Sequence, residues 1–410
     1  MIVKRNNVLL FFAFFLNPFA SVFLSLGAIK KNNIAFTIII VSSLVFVVTL
    51  LTPPYQDLYR RYITTYYLYD PSTTLWEALE GKVDFLFYFF SWMLYKLDLP
   101  FYLIPALFSS VSCYCTLSAA NHHWQKNNNE VNKGIFLIGF LCIFSFVNVI
   151  MIASTLRFGL AVALFVKAIS LYFLTGKKNK AYFYFIFSLS CHISLLLPLT
   201  AFFISRYFKI SWFTCFILSL AMYMGSHFII PLLLNIVNLG YINDYITVGY
   251  LSTDYANVTN NANTLLVQMV KWLLLVFFII LLVRHKSISP QYDNFIKILI
   301  VVSAMTALSA TIFNRYFIGV LTPIVVIGAL SNLSKINYKP LLKLALMIVL
   351  IFNITVINVF LERRQIIMAS MWEGLYVPPV FHLLYNMDKF NGYLNEIDSD
   401  GNWVKNKLAE

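Results

Sequence analysis

Charge is scarce in this chain. Only 11% of its residues are Asp, Glu, Lys or Arg, against about 25% in soluble domains, so an ordinary water-facing surface cannot be assembled from it. Cysteine is also sparse. The five at positions 113, 115, 142, 191 and 215 all lie in apolar stretches and none forms a Cys-x-x-Cys pair. That spacing excludes a zinc ribbon and a thioredoxin-like redox pair, and leaves small buried hydrophobes. There is no His-Glu-x-x-His, no Walker loop and no Gly-x-Ser-x-Gly, which removes the zincin, P-loop and α/β-hydrolase readings. The first polar loop holds no adjacent carboxylates of the kind that grip a divalent cation, so no metal and no cofactor is expected. No internal repeat is visible, and no low-complexity segment beyond the asparagines at 127–129.

Apolar sequence is abundant instead. Hydrophobic residues make up 60% of the chain and aromatics 17%, and the mean hydropathy is +0.77. Apolar runs occupy residues 8–26, 34–51, 85–97, 101–120, 134–152, 156–174, 181–204, 212–236, 265–283, 295–313, 317–333 and 341–361. A helix needs ~20 such residues to cross a bilayer. The expected fold is therefore all-α, a single polytopic membrane domain over residues 1–410 with about 10–12 transmembrane or re-entrant helices. Lys4-Arg5 before the run 8–26 imitates a signal peptide, but no small-residue cleavage site follows, so an uncleaved first helix is expected.

The net charge of +13 is distributed as topology, not as a nucleic-acid surface. Lysines and arginines cluster in the short loops 176–180, 284–286 and 335–339, which belong in the cytoplasm by the positive-inside rule. Between Lys209 and Lys271 there is no Lys or Arg, and the polar loop 238–263 holds four tyrosines and six asparagines. That loop is expected outside, as is the tyrosine-rich loop 52–84, while parity puts the tail 362–410 outside too. Parity also makes the run 181–204 start and end on one side. A bent or re-entrant hairpin does this, with Pro198 offering the break and His192 near the outer apex. At ~1.5 Å per residue the run 85–97 spans roughly 20 Å, too short to cross, so it reads as a half-helix.

Ionisable groups inside such runs cost about 2.5–3.5 kcal/mol on insertion scales and are functional candidates by default. Arg157, His192 and Arg315 qualify, the two arginines at outer turns. Each has a bland alternative: interfacial arginines that snorkel, and a satisfied core histidine. Loop charges place all three toward one face, which strengthens the functional reading. Two arginines grip phosphate oxygens through planar forks whose charge does not titrate away, and a histidine moves protons near neutral pH. Asp84 directly precedes the short apolar run, where it either favours the helix N-terminus or serves as a catalytic carboxylate. Asp57, Asp70, Glu77 and Glu80 read mostly as solvated loop charges.

Ser154-Thr155-Leu156-Arg157-Phe158-Gly159-Leu160-Ala161 resembles the arginine-containing helix start of EpsG-like oligosaccharide polymerases, the Wzy-type enzymes of bacterial surface polysaccharides. Ser190-Cys191-His192-Ile193-Ser194 is similar to that family's His-x-Ser segment. Asp57 with Tyr59 and Tyr62, then Asp84-Phe85-Leu86-Phe87-Tyr88, resembles its first external loop and short helix. Arg315 matches a late arginine, and Tyr376-Val377-Pro378-Pro379 is faintly similar to a terminal Tyr-x-Pro element.

The resemblance implies a polymerase of O-antigen or capsule repeat units at the outer face of the bacterial inner membrane. Its substrate would be an undecaprenyl-pyrophosphate-linked glycan, with a chain-length regulator and a flippase as partners. The implied site has His192 taking the proton, Asp84 as the alternative base, Arg157 and Arg315 on the pyrophosphate, and Asp57 and Tyr62 as further substrate contacts. The loop 238–263 would help to select the glycan. A lipid-linked oligosaccharide flippase and a membrane O-acyltransferase are the rival functions. The flippase predicts pseudo-symmetric halves that this chain lacks, and the acyltransferase predicts a histidine served from the cytoplasm.

Overall fold

A computed structural model of the chain describes residues 5–127, 130–236, 262–355, 370–399, 401–402 and 404. Among these residues the structure is all helical, with no sheet, as the apolar runs predict. Six helical stretches are long and apolar enough to cross a membrane: Leu103–Lys126, Lys133–Thr155, Arg157–Thr175, Trp212–Ile229, Leu265–His285 and Ala310–Asn337. Shorter apolar helices accompany them at Pro18–Gly27, Ile34–Leu50, Ile193–Tyr207 and Pro340–Thr355. The chain is a multi-pass membrane protein.

Hydropathy alone does not say which of these helices lie inside the bundle. Leu103–Lys126, Arg157–Thr175 and Ala310–Asn337 are 72%, 72% and 89% buried, whereas Trp212–Ile229 is 11% and Leu265–His285 is 33%. The two outer helices present Phe213, Phe216, Phe228, Leu273 and Ile280 on the surface, as lipid-facing helices do.

Lipid tails are as apolar as leucine, so the inner helices must associate by close approach and by hydrogen bonds between helices. Leu103–Lys126 buries Ser109, Ser112, Cys113, Cys115, Ala119 and Ala120, small residues that let its neighbours Ile34–Leu50 and Arg157–Ser170 come near. Hydroxyls then bridge the pairs. Ser110 Oγ donates to the Ser42 carbonyl (2.8 Å), Ser170 Oγ to that of Ala119 (3.0 Å) and Ser188 Oγ to that of Ala161 (2.7 Å).

The run 181–204 folds as a hairpin of two helices, Lys178–Cys191 and Leu196–Tyr207. Its two far ends meet: Lys178 and Arg206 both approach the Tyr172 ring, at 5.9 and 5.6 Å, and Phe185 packs on Phe202 at 4.9 Å. The start and the end of the run therefore lie at one end of the bundle, as parity requires. The break is not at Pro198. It is at His192, whose backbone is extended (φ −158°, ψ 115°). Pro198 is the third residue of Leu196–Tyr207, within the first turn, where amides have no partner in the helix and the missing N–H costs nothing.

Beyond the membrane helices, the described residues between 370 and 404 fold back on the first loop. Phe390, from Pro379–Leu394, enters a ring cluster with Tyr62, Phe101 and Tyr102. The Gln56 amide donates to the Gly401 carbonyl (2.7 Å). Gly401 has φ +80°, and a Cβ there would sit 2.9 Å from the Gln56 carbonyl oxygen, so the contact requires glycine. The proposed glycan-selecting loop lies almost wholly outside the described residues.

Candidate functional site

Four chain segments meet at the hairpin apex. The first is the short helix Phe85–Lys96, as brief as the sequence predicts. Asp84 precedes it but makes no side-chain cap bond. The carboxylate is 1% exposed and turns to two partners elsewhere in the chain. Its Oδ2 accepts from Arg157 Nη1 at 2.7 Å, and its Oδ1 accepts the Ile193 amide at 3.1 Å. Asp84 thus ties the short helix, the Arg157 segment and the hairpin apex together. The far end of the short helix is fastened to the first loop, where Lys96 Nζ donates to the Pro71 carbonyl (2.7 Å) and Trp92 Nε1 to that of Thr73 (3.0 Å).

Arg157 opens the helix Arg157–Ser170 directly after Leu156, whose φ of 54° and ψ of −78° break the chain from the helix Val149–Thr155. A leucine at positive φ is strained by about 1–3 kcal/mol, and such strain concentrates at ligand sites. A cation at a helix N-terminus also opposes the helix dipole. Both features disfavour folding, and the buried Asp84 offsets the second. Gly159 permits the turn to close: a Cβ there would stand 2.6 Å from Ile152 Cγ1.

His192 is buried, with 3% exposure. Its Nδ1 accepts the Ser194 amide at 3.3 Å and lies 2.9 Å from Ser194 Oγ. Asp84, Arg157, Arg315 and Arg61 all stand near enough for their charges to act on the ring. Phe158 meets the imidazole edge to face at 5.4 Å.

Arg315 is not at a turn between helices, as the apolar runs suggest. The turn is at Ser309, and Arg315 lies five residues after the start of Ala310–Asn337, opening a π-helical segment Arg315–Leu321. Such segments recur at functional sites because they push a side chain out of register. The guanidinium sits 5.8 Å from the centre of the Phe158 ring. The next residue, Tyr316, donates its O–H to the Ser194 carbonyl (2.8 Å), which couples this segment to the apex.

Gly319 leaves room for Phe158, since a Cβ there would stand 2.8 Å from Phe158 Cε1. Gly319→Ala is therefore expected to displace the ring that touches both His192 and Arg315. Overpacking of this kind costs about 1–3 kcal/mol. The expected result is a lower melting temperature of the purified protein in detergent together with reduced activity; an unchanged melting temperature would mean the ring has no positioning role.

Two expected substrate contacts are placed differently. Asp57 pairs with Arg61 one helical turn on (3.4 Å), and Tyr62 stacks among Tyr66, Phe101 and Phe390, in the aromatic floor of the loop. Burial pushes the Tyr66 phenol up to about 12, so it stays a neutral donor, to the Leu99 carbonyl. Asp70 and Glu77 are fully exposed, and bonds from Ser72 and Thr74 hold their carboxyls below the usual range. They are solvated loop charges, as expected.

Arg61 was the residue hidden from sequence reasoning, where it counts only as loop charge. Its Nη1 donates to the Tyr88 hydroxyl (3.4 Å), on the short helix that Asp84 begins. Lys167, inside the apolar run 156–174, is a second buried cation. It is 6% exposed within the Arg157–Ser170 helix and donates to Ser118 Oγ (2.6 Å), with His122 Nε2 at 3.4 Å. Ten residues along the helix, roughly 15 Å, separate it from Arg157, so it is no part of this cluster.

The assembled site holds Arg157, Arg315 and Arg61 near the buried carboxylate Asp84, with Arg61 also paired to Asp57. Guanidinium groups gathered around a buried imidazole suit an anion. Among the described residues, no group of three His, Cys, Asp or Glu is arranged to hold a metal ion. Comparison with known families gives a match to the EpsG family model over residues 33–370, the layout of a glycan-polymerase-type membrane protein. No curated protein and no solved structure matches the chain.

Proposed function

The chain belongs to the EpsG family, and from that premise we propose that it joins undecaprenyl-pyrophosphate-linked oligosaccharide repeat units into O-antigen or capsular polysaccharide at the outer face of the bacterial inner membrane. The observation that carries this reading is the meeting of Asp84, bonded to Arg157 and to the Ile193 amide, with His192 at the hairpin apex, and of Arg315 with the Phe158 ring that touches the imidazole.

In the reaction, a hydroxyl at the non-reducing end of an incoming lipid-linked repeat attacks the anomeric carbon of the growing glycan. A C–O bond forms there while the bond to the lipid pyrophosphate breaks, leaving its electron pair on the phosphate oxygen. The arginines bind the pyrophosphate and stabilise the charge it gains. The hydroxyl proton passes to Asp84, whose position next to Arg157 puts the proton acceptor beside the leaving-group clamp. His192, expected from the sequence to take this proton, has its basic Nδ1 occupied by the Ser194 amide. A flippase delivers the substrate and a chain-length regulator limits the product.

Deleting the gene for this chain is expected to leave surface glycan carrying one repeat unit only, read as a single band above the unsubstituted core on a gel. Persistent long chains would remove the polymerase reading. Loss of even the single-repeat band would favour a flippase, which acts before any repeat reaches the outer face.

A further inference from the structure

We propose that His192 acts in this site as a hydrogen-bond donor, presenting its Nε2–H to the pyrophosphate, and that the Ser194 amide fixes the ring in that tautomer. This inference rests on the polymerase reading for its ligand but not for its geometry.

A backbone amide can only donate. The Ser194 N–H points at His192 Nδ1, and Ser194 Oγ, 2.9 Å from the same nitrogen, can donate to it as well; two donors converging there select a lone pair on Nδ1 over the Nδ1–H tautomer and the doubly protonated imidazolium. The proton of the neutral ring is then on Nε2. Among the described residues nothing hydrogen-bonds Nε2, so its N–H is left for a ligand.

The ring is also held in place. The edge contact with Phe158 fixes its plane. The bond from Tyr316 to the Ser194 carbonyl anchors the peptide that carries Ser194, and the Asp84 carboxylate anchors the neighbouring Ile193 amide. The extended backbone at His192 points its side chain back onto the 3₁₀ turn Ile193–Leu195. Three arginines stand near this ring, and an anion bound among them would meet one neutral donor. An imidazole in that role adds directionality without adding charge. No proton is transferred in this step; the bond strengthens as the pyrophosphate oxygen gains its electron pair.

Two measurements test the proposal. In the wild-type protein, labelled with 15N-histidine and reconstituted in lipid, the His192 spectrum assigned by comparison with His192→Gln is expected to show an unprotonated Nδ1 and a protonated Nε2. Separately, glutamine places its amide nitrogen about where Nε2 lies, whereas asparagine reaches only the Nδ1 position. His192→Gln is therefore expected to retain at least a tenth of wild-type chain extension, while His192→Asn and His192→Ala fall more than a hundredfold at equal membrane abundance. A proton on Nδ1 would overturn the proposal, and so would a His192→Gln variant as inactive as His192→Ala. The spectrum reads the tautomer whether or not the chain polymerises glycans, so failure of the polymerase reading remains separable from failure of this one.

Discussion

Replacing Arg157 by alanine is expected to lower the amount of protein in the membrane and to abolish long polymer, and adding Asp84→Asn is expected to restore the first without the second. The two effects have different origins. Asp84 is 1% exposed and meets Arg157 at 2.7 Å. Removing one partner of a buried pair leaves an uncompensated charge, at about 3–5 kcal/mol, a large part of a typical folding free energy of about 5–15 kcal/mol. Asparagine at 84 removes that charge while its side-chain oxygen can still accept the Ile193 amide that Asp84 holds at 3.1 Å. The double variant should therefore accumulate nearly as wild type.

Its activity should not return, because the proposed pyrophosphate clamp has lost a guanidinium and the carboxylate proposed to take the proton is gone. Loss of one preorganised stabiliser costs about 2.7–4 kcal/mol, a hundred- to a thousandfold in rate. Quantitative immunoblots of membranes beside glycan gels read the two effects separately. If the double variant makes long chains, the pair is structural and the site proposed here lacks its core.

Much of this architecture could be read from residue order. Loop lysines implied the hairpin, and its two ends do meet at Tyr172. The length of the run 85–97 implied a short helix, and Phe85–Lys96 is one. Arg157, His192 and Arg315 stand out as ionisable residues in apolar runs, and all three lie about the hairpin apex. The misplaced details share a cause, which is that they depend on partners far away in the chain. Pro198 is the conspicuous local breaker, yet the helix breaks at His192 because the freed Ile193 amide has an acceptor in Asp84, 109 positions earlier. No local pattern encodes that partner.

The same holds for Asp84. Its position before a helix suggests a cap, but the pull of a buried guanidinium outweighs a solvent-side cap bond. Leu156 carries no glycine-like signature for its positive φ; the glycine that lets the turn close, against Ile152, stands three residues later at Gly159. Arg61 is indistinguishable by sequence from its neighbour Arg60, since a topology argument weighs both only as charge. Helical phase separates them: Arg61 faces Asp57 one turn back and Tyr88 across the loop. Tyr62, on the next position, falls instead into the aromatic cluster that the segment 370–404 completes through Phe390. The matched family region ends at residue 370, so this covering element lies beyond it.

Arg315→Ala is expected to shorten the polymer as severely as the Arg157 variant but to leave the protein at normal abundance. Arg315 is half-buried, and its loss leaves the Asp84–Arg157 pair intact, so Asp84 keeps its guanidinium. What is lost is a guanidinium whose position is set by the π-helical segment it opens and by the Phe158 ring 5.8 Å away. Removing it from a developing pyrophosphate should again cost about a hundred- to a thousandfold. Lysine at 315 should restore part of this, since it keeps the charge and loses the fork.

Phe158→Leu separates charge from placement. It leaves Arg315 charged and takes away a cation–π contact worth about 0.5–2 kcal/mol, or about two- to thirtyfold in rate. Its effect should fall between those of wild type and Arg315→Ala. The order Arg315→Ala, Arg315→Lys, Phe158→Leu, wild type in mean chain length is thus the expected series, measured at matched expression. Wild-type chain lengths from Arg315→Ala would sink the assignment, leaving the pyrophosphate to Arg157 and Arg61 and reducing Arg315 to a spacer that holds Phe158 against His192.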